Sequence, residues 1–211
     1  MTFRYRGSRP ATSSFNSCAC IAAVKKSHEY QNCDFVGDDA ELVHDVAMKA
    51  WRVTYRDIYD STIIERYVNT NYAPEQLRSL ARRVSKSEIF FAVAENETGV
   101  IGFCNIGQTQ QGVELFRIYL LPEFVGQGIG GLLLARGEQY LRKQGFSSYF
   151  CFVHSTNEVG KRFYEKQGFQ HVAERDDNDE WFMEKQLSEP GRNLSAIVMS
   201  HEKPPSEGSS L

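Results

Sequence analysis

Apolar residues recur along this chain at two spacings, and the switches between them mark out its elements. Leu42, Val43, Val46, Ala47, Ala50 and Trp51 fall three and four apart, which gathers them on one side of a helix. Asp38-Asp39 stands just upstream, where short acidic side chains cap helix starts. Helical spacing returns at 64–68 and at 74–84, where Leu77 and Leu80 are in register. Residues 30–36 and 89–94 read as strands. Glu95-Asn96-Glu97-Thr98-Gly99 is a hairpin turn, and 100–106 the returning strand. A polar link over 108–112 leads into a third strand, 113–121. The spacing predicts a helix over 128–144, with Ile129, Leu132, Leu133, Tyr140 and Leu141 inward and Gly145 as its stop. A strand follows at 149–153. Ser155-Thr156-Asn157 then caps a short helix that ends at Gly168, and 170–174 with 181–187 form a final hairpin. The order is strand, two helices, three strands, helix, strand, helix, two strands, which predicts an α+β domain: a mixed, mostly antiparallel sheet flanked by helices.

The termini differ in composition from this body. Residues 1–28 carry Arg4, Arg6, Arg9, Lys25 and Lys26, several serines and no acid before Glu29, and read as a disordered extension or a targeting segment. The folded domain is expected over 29–188, with a flexible tail over 189–211 containing Pro204-Pro205. A net charge of −3 gives no basic face for nucleic acid, and no apolar run reaches the ~20 residues of a membrane span. Five scattered cysteines without a secretory signal point to reduced thiols in a cytoplasmic protein. Cys18, Cys20, His28 and Cys33 match no zinc spacing, so no metal is expected.

Chemistry concentrates at 117–130, an apolar strand, a Pro122 turn, and the glycines Gly126, Gly128 and Gly130 opening a helix. Glycines let consecutive N–H groups converge, and a helix N-terminus adds partial positive charge, so this segment suits phosphate. Gly126, Gly128 and Gly131 also satisfy G-x-G-x-x-G, but no acid follows the next strand, as a dinucleotide site requires. A P-loop would need Lys-Ser or Lys-Thr after the glycines, and neither is present.

From Glu114 to Phe169 the chain resembles the GNAT superfamily of N-acetyltransferases, which bind acetyl-CoA. The family's Q/R-x-x-G-x-G/A is met by Gly128 and Gly130, with Val125 in place of Arg or Gln. Asn157-x-x-Gly160-x-x-Phe163-Tyr164-x-x-x-Gly168-Phe169 is similar to the family's second motif, with Gly160 in place of Ala. The resemblance implies a strand that splays from its neighbour so that pantetheine pairs with its backbone at Leu120, while a backbone N–H near Leu121 polarises the thioester carbonyl. It implies pyrophosphate held by Val125 N–H, Gly126, Gln127, Gly128, Ile129 and Gly130, with Asn157 and Tyr164 completing the cofactor site. The missing side chain of Gly160 would then admit the cofactor.

Tyr164 becomes the expected general acid for the departing thiolate; a packed aromatic is its plainer explanation. Glu114 is the first candidate base, with His154 second and a solvated strand-end role for either as the alternative. Arg117 can pair with Glu114 or with an acidic acceptor. Trp51, Tyr55 and Tyr59 at four-residue spacing can line an acceptor pocket or simply fill a core. Asp176, Asp177, Asp179 and Glu180 would attract a polyamine or basic peptide, although a solvated turn has the same composition. Cys104 and Cys151 are expected to be buried and inert, which removes an acyl-cysteine route. The implied activity is direct acetyl transfer from acetyl-CoA to a primary amine on a small molecule, polyamine or peptide, in a family where homodimers are common. A non-catalytic acyl-CoA sensor on the same fold is the alternative.

Overall fold

Residues 21–23 and 30–187 are described by the computed structural model of this chain. Cys18, Cys20, His28 and the tail over 189–211 lie outside the described residues. The strands are β1 (Ile21–Ala23), β2 (Tyr30–Asp34), β3 (Phe90–Asn96), β4 (Gly99–Thr109), β5 (Gly112–Leu120), β6 (Ser148–His154), β7 (Gln170–His171) and β8 (Glu180–Gln186). The helices are α1 (Ala40–Thr54), α2 (Ser61–Asn71), α3 (Pro74–Ser85), α4 (Ile129–Lys143) and α5 (Glu158–Lys166). The sheet order is β1-β2-β3-β4-β5-β6-β8-β7, antiparallel at every junction except the parallel one between β5 and β6. This is the mixed, mostly antiparallel sheet that the periodicity predicts. Residues 21–23, inside the segment expected to be an extension, instead pair with β2. Predicted strand 170–174 shrinks to two residues, because 173–175 turn into a 3-10 helix.

The sheet separates two cores. On one face, α1 to α3 bury Val43, Ala47, Trp51, Ile64, Val68 and Leu77 against Phe91, Val93 and Phe103. On the other, α4 and α5 bury Ile129, Leu133, Leu134 and Leu141 against Ala92, Ala94, Cys104 and Ile106. Alternate residues of β3 therefore serve opposite cores, which explains its unbroken apolar run. α4 is fixed from inside by Glu138, whose carboxylate accepts from Tyr149 Oη at 2.8 Å, from Arg142 Nη2 at 3.2 Å and from Lys185 Nζ. Such a carboxylate would be expensive to bury alone; three donors compensate it.

One irregularity matters for the site. In the β4–β5 ladder Asn105 faces Arg117 and Ile106 faces Leu115, so Phe116 is an extra residue, a β-bulge. Before it, Val113 and Leu115 point to the α4 core; after it, Ile118 and Leu120 do. Glu114, Arg117 and Tyr119 consequently share the opposite face.

Candidate active site

β5 and β6 pair only at Glu114↔Phe150. Beyond that point the strands part, and a gap opens toward their C-terminal ends, between the start of α4 and α5. Which backbone groups face the gap follows from the ladder on the other side. Leu121 N–H donates to Ile101 O at 2.8 Å, so 101 and 121 are a hydrogen-bonded pair. In an antiparallel ladder such pairs alternate, which leaves the N–H and C=O of Ile118 and Leu120 pointing into the gap. The expectation that Leu121 supplies the free N–H is therefore corrected: its proton is already engaged, and Leu120 presents the outward one. The Leu120 side chain lies over Gly102, where a Cβ would clash with Leu120 Cδ2.

The glycine loop follows. Gly126 and Gly128 have φ of +84° and +86°, the left-handed region that other residues enter at a penalty. The first bond inside α4 runs from Leu132 N–H to Gly128 O at 3.2 Å, so the N–H groups of Ile129, Gly130 and Gly131 have no intrahelical acceptor. They project from the positive end of a 15-residue helix, a fit for pyrophosphate oxygens. Val125 does not join them: its N–H donates to Pro122 O at 3.2 Å, and its side chain is exposed. The Gln127 side chain is turned back, its Nε2 donating to Glu123 O at 2.8 Å. Of the loop N–H groups expected from the sequence, that of Val125 is engaged, while those of Ile129 and Gly130 stand open at the helix end together with that of Gly131.

Gly130 has a second duty. A Cβ there would stand 3.2 Å from the Phe163 ring, so this glycine lets α4 close on α5 and joins the two motifs. Asn157 caps α5 by accepting from Gly160 N–H at 2.9 Å. A Cβ on Gly160 would lie 2.7 Å from Asn157 Nδ2 and 3.0 Å from Val153 Cγ2. The missing side chain accommodates this cap, not a cofactor. Tyr164, one turn past Gly160, packs edge-on to Phe163 and Phe169 and shares a hydrogen bond with the Cys151 thiol. Burial holds its phenol well above the usual range, with the neighbouring Cys151 adding to the effect. Such a hydroxyl stays protonated until a strong base appears beside it. Cys104 and Cys151 are buried free thiols whose ionisation burial suppresses, as expected.

On the opposite face of β5 a different environment begins. Burial, and then the charge of Glu180, push the half-buried Glu114 carboxyl upward. Glu180 opens β8 opposite His154; burial raises it too, the charge of His154 opposes that, and Asp177 adds to it. Neither carboxylate is held by a Lys or Arg among the described residues. Arg117 is not paired with Glu114: it donates to Asn71 O at 3.0 Å and lies 4.6 Å over the Tyr72 ring. His154 Nδ1 lies 2.9 Å from Thr156 Oγ1 and accepts from Thr156 N–H at 3.3 Å, which ties the ring to its own turn. Of the other acids in the 176–180 loop, Asp176 holds His171 and the Phe182 N–H.

Rings surround these groups. Trp51 contacts Tyr55 and Tyr67, each at 4.3 Å between centroids, and Tyr72 at 6.4 Å. Trp51 Nε1 donates to Tyr72 Oη at 3.4 Å, and the Tyr119 hydroxyl shares hydrogen bonds with Tyr55 and Tyr72. Burial lifts Tyr72 to about 12 and holds Tyr119 well above the usual range. Trp51, Tyr55 and Tyr59 were foreseen by their spacing. Tyr67, Tyr72 and Tyr119 were not, because α2 and β5 reach this cluster only in three dimensions.

Comparison with known proteins agrees with this arrangement. Residues 48–169 match the model of the acetyltransferase (GNAT) family. The spermidine N(1)-acetyltransferase of Thermoplasma acidophilum is 34% identical over 149 residues, 70% of this chain and 91% of that one. An uncharacterised N-acetyltransferase of Bacillus subtilis, YuaI, is 37% identical over 65% of this chain and 78% of its own length. Among solved structures, the PaiA N-acetyltransferase of Thermoplasma acidophilum in complex with coenzyme A superposes with a TM-score of 0.71 at 31% identity, covering 74% of this chain and 98% of that one. Among the described residues no helix is long and apolar enough to cross a membrane, and no three metal-ligating side chains converge. The chain belongs to the acetyltransferase (GNAT) family and is an N-acetyltransferase that draws on acetyl-CoA to acetylate an amine.

Proposed function

We propose that the acceptor is a primary amine of a small polycation of the polyamine type, acetylated by direct transfer in the cytoplasm. The observation that carries this reading is the pair Glu114 and Glu180. Burial raises both carboxyls, the charge of Glu180 raises Glu114 further, and among the described residues no Lys or Arg pairs with either, which is the electrostatic complement of a cationic ligand. The similarity to a spermidine N(1)-acetyltransferase supports the same class.

Acetyl-CoA supplies the acetyl thioester. The N–H groups of Ile129, Gly130 and Gly131 hold its pyrophosphate, with Gly126 and Gly128 shaping their approach, and the backbone of Ile118 and Leu120 pairs with pantetheine. Leu120 N–H donates to the thioester carbonyl, where negative charge develops; a preplaced donor of this kind is worth about 3 kcal/mol. Glu114 accepts a proton from the bound ammonium. Its raised affinity for protons brings it closer to the amine, which makes it a more effective base than an ordinary glutamate. The neutral nitrogen then forms a bond to the acetyl carbon, and the carbon–sulfur pair leaves on sulfur. Tyr164 donates its phenolic proton to that thiolate, the nitrogen sheds its second proton to restore the phenol, Glu114 returns its proton to solvent, and Asn157 acts indirectly by fixing the helix that carries Tyr164.

The test is thiol release from acetyl-CoA by the full chain against spermidine, 1,4-diaminobutane, free amino acids, an aminoglycoside and a peptide with a free N-terminus. Polyamines are expected to give a kcat/KM at least tenfold above the other classes. Equal or greater turnover of amino acids or peptides would overturn the assignment.

A further inference from the structure

The rings on the acceptor side form a row, and the row extends past the reacting groups. Tyr67 stacks on Trp51 at 4.3 Å, Trp51 meets Tyr55 at 4.3 Å, and Tyr55 meets Tyr59 at 5.9 Å. Tyr59 then stands edge-on to His154 at 5.8 Å. Trp51 is the floor, 8% exposed, whereas Tyr59 and Tyr67 are 36% and 43% exposed. Tyr59, Ile63 and Tyr67 recur every fourth residue, and Ile63 is exposed as well. The fold does not need them there, because α2 already buries Ile64 and Val68. A run of exposed rings and aliphatics beside a reaction centre is surface kept for contact.

Charge specifies what the contact takes. Glu180 bears electrostatically on Tyr55, on Tyr67 and on Glu114, so one carboxylate serves both the row and the catalytic strand. Ring faces attract cations and lie comfortably against methylene groups. Arg117 acts on Tyr67 as well, ahead of Glu180, but its guanidinium is held at the Tyr72 end by Asn71 O and the Tyr72 ring, so the end at Tyr55 and Tyr59 is the one left to a second ammonium. The Tyr55 hydroxyl reaches Tyr119 on β5, so the row is continuous with the gap in which transfer takes place.

We propose that the row Tyr67–Trp51–Tyr55–Tyr59, with Glu180, is a specificity subsite for the unreactive part of the acceptor, its methylene chain and a second ammonium. This rests on the amine reading above and adds to it: selection acts on a second cation remote from the nitrogen that is acetylated. The subsite makes the enzyme a reader of cation spacing along a linear amine.

The test is the thiol-release kcat/KM of the full chain for 1-aminobutane, 1,4-diaminobutane and spermidine. The ratio of triamine to monoamine is expected to exceed tenfold. Tyr67→Leu and Glu180→Gln should each bring that ratio below about threefold, Tyr67→Phe should preserve it because the ring face remains, and CoA affinity measured by calorimetry should not change in any of them. Tyr59→Leu gives an independent second variant should Tyr67→Leu fail to fold. Equal kcat/KM for monoamine and triamine in the wild type would overturn the subsite and leave amine acetylation standing. A wild-type preference untouched by Tyr67→Leu, Tyr59→Leu and Glu180→Gln would also overturn it. Release with none of the amines, despite CoA binding, would remove the polyamine reading itself and the subsite with it.

Discussion

The two sides of β5 are built by different means. In the reading proposed above, the groups offered to the cofactor toward α4 and α5 are main-chain N–H and C=O of Ile118, Leu120, Ile129 and Gly130, set by a ladder register and a helix end. In the same reading, the groups offered to the acceptor toward α1 and α2 are side chains: Glu114, Glu180 and a set of rings drawn from α1, α2, β5 and the turn between the helices. A backbone site tolerates many side chains as long as the conformation holds, whereas a side-chain site changes with every substitution. The donor half is therefore the part expected to stay constant while acceptor preference drifts.

The largest test of that contrast is at the anchor of α4. Glu138→Ala strands Lys185 and Arg142 beside a buried pocket, and should lower stability by about 3 kcal/mol or more in urea unfolding. A loss under about 1 kcal/mol would mean that the donor helix is not held from inside. Next, Tyr164→Phe should reduce kcat about 100-fold, with the KM for acetyl-CoA little changed. An unaltered kcat would return Tyr164 to a packing role.

Gly128→Ala forces a left-handed residue with a Cβ, a strain of about 1–2 kcal/mol, which should weaken CoA about tenfold by calorimetry. Unchanged affinity would show that the loop relaxes without help from glycine. The smallest effect belongs to the acceptor half. Glu114 must be ionised to act, so kcat should fall with decreasing pH at a limb above the usual glutamate range. Glu180→Gln removes the charge that opposes this ionisation and should move the limb to lower pH. Stability has a matching sign: a carboxyl raised in the folded state stabilises most below its unfolded pKa, and that contribution disappears as pH rises through the folded one. Glu180→Gln should therefore raise the Tm at pH 8 and leave it nearly unchanged at pH 4, as differential scanning calorimetry would show.

How far the sequence anticipated these features depended on what kind of feature each was. Helices with inward stripes, such as α1 and α4, declared themselves through spacing, and so did the glycine loop and the Asn157–Phe169 segment. The direction of a particular N–H did not. Leu121 and Val125 were assigned free protons, but ladder parity and the Pro122 turn engage both. Neither determinant is written in residue identity. Gly160 was read as room for a ligand, when the room is taken by Asn157 and Val153. The acidic loop was read as four equivalent charges; folding commits Asp176 to His171 and leaves Glu180 facing the site. Tyr67 and Tyr119 went unnoticed because partners far apart in sequence give them their meaning.

Phe116 draws a last consequence from this geometry. As a single supernumerary residue it acts as a phase shifter, putting Glu114 on the same face as Tyr119 although five positions separate them. Deleting it would leave strict alternation with every face kept, whereas a regular ladder that retained Phe116 would turn Tyr119 into the α4 core and Leu120 out toward the rings. Donor and acceptor surfaces would trade places along one strand. The separation of the two surfaces is therefore kept by how the ladder absorbs one residue, in the backbone of the bulge.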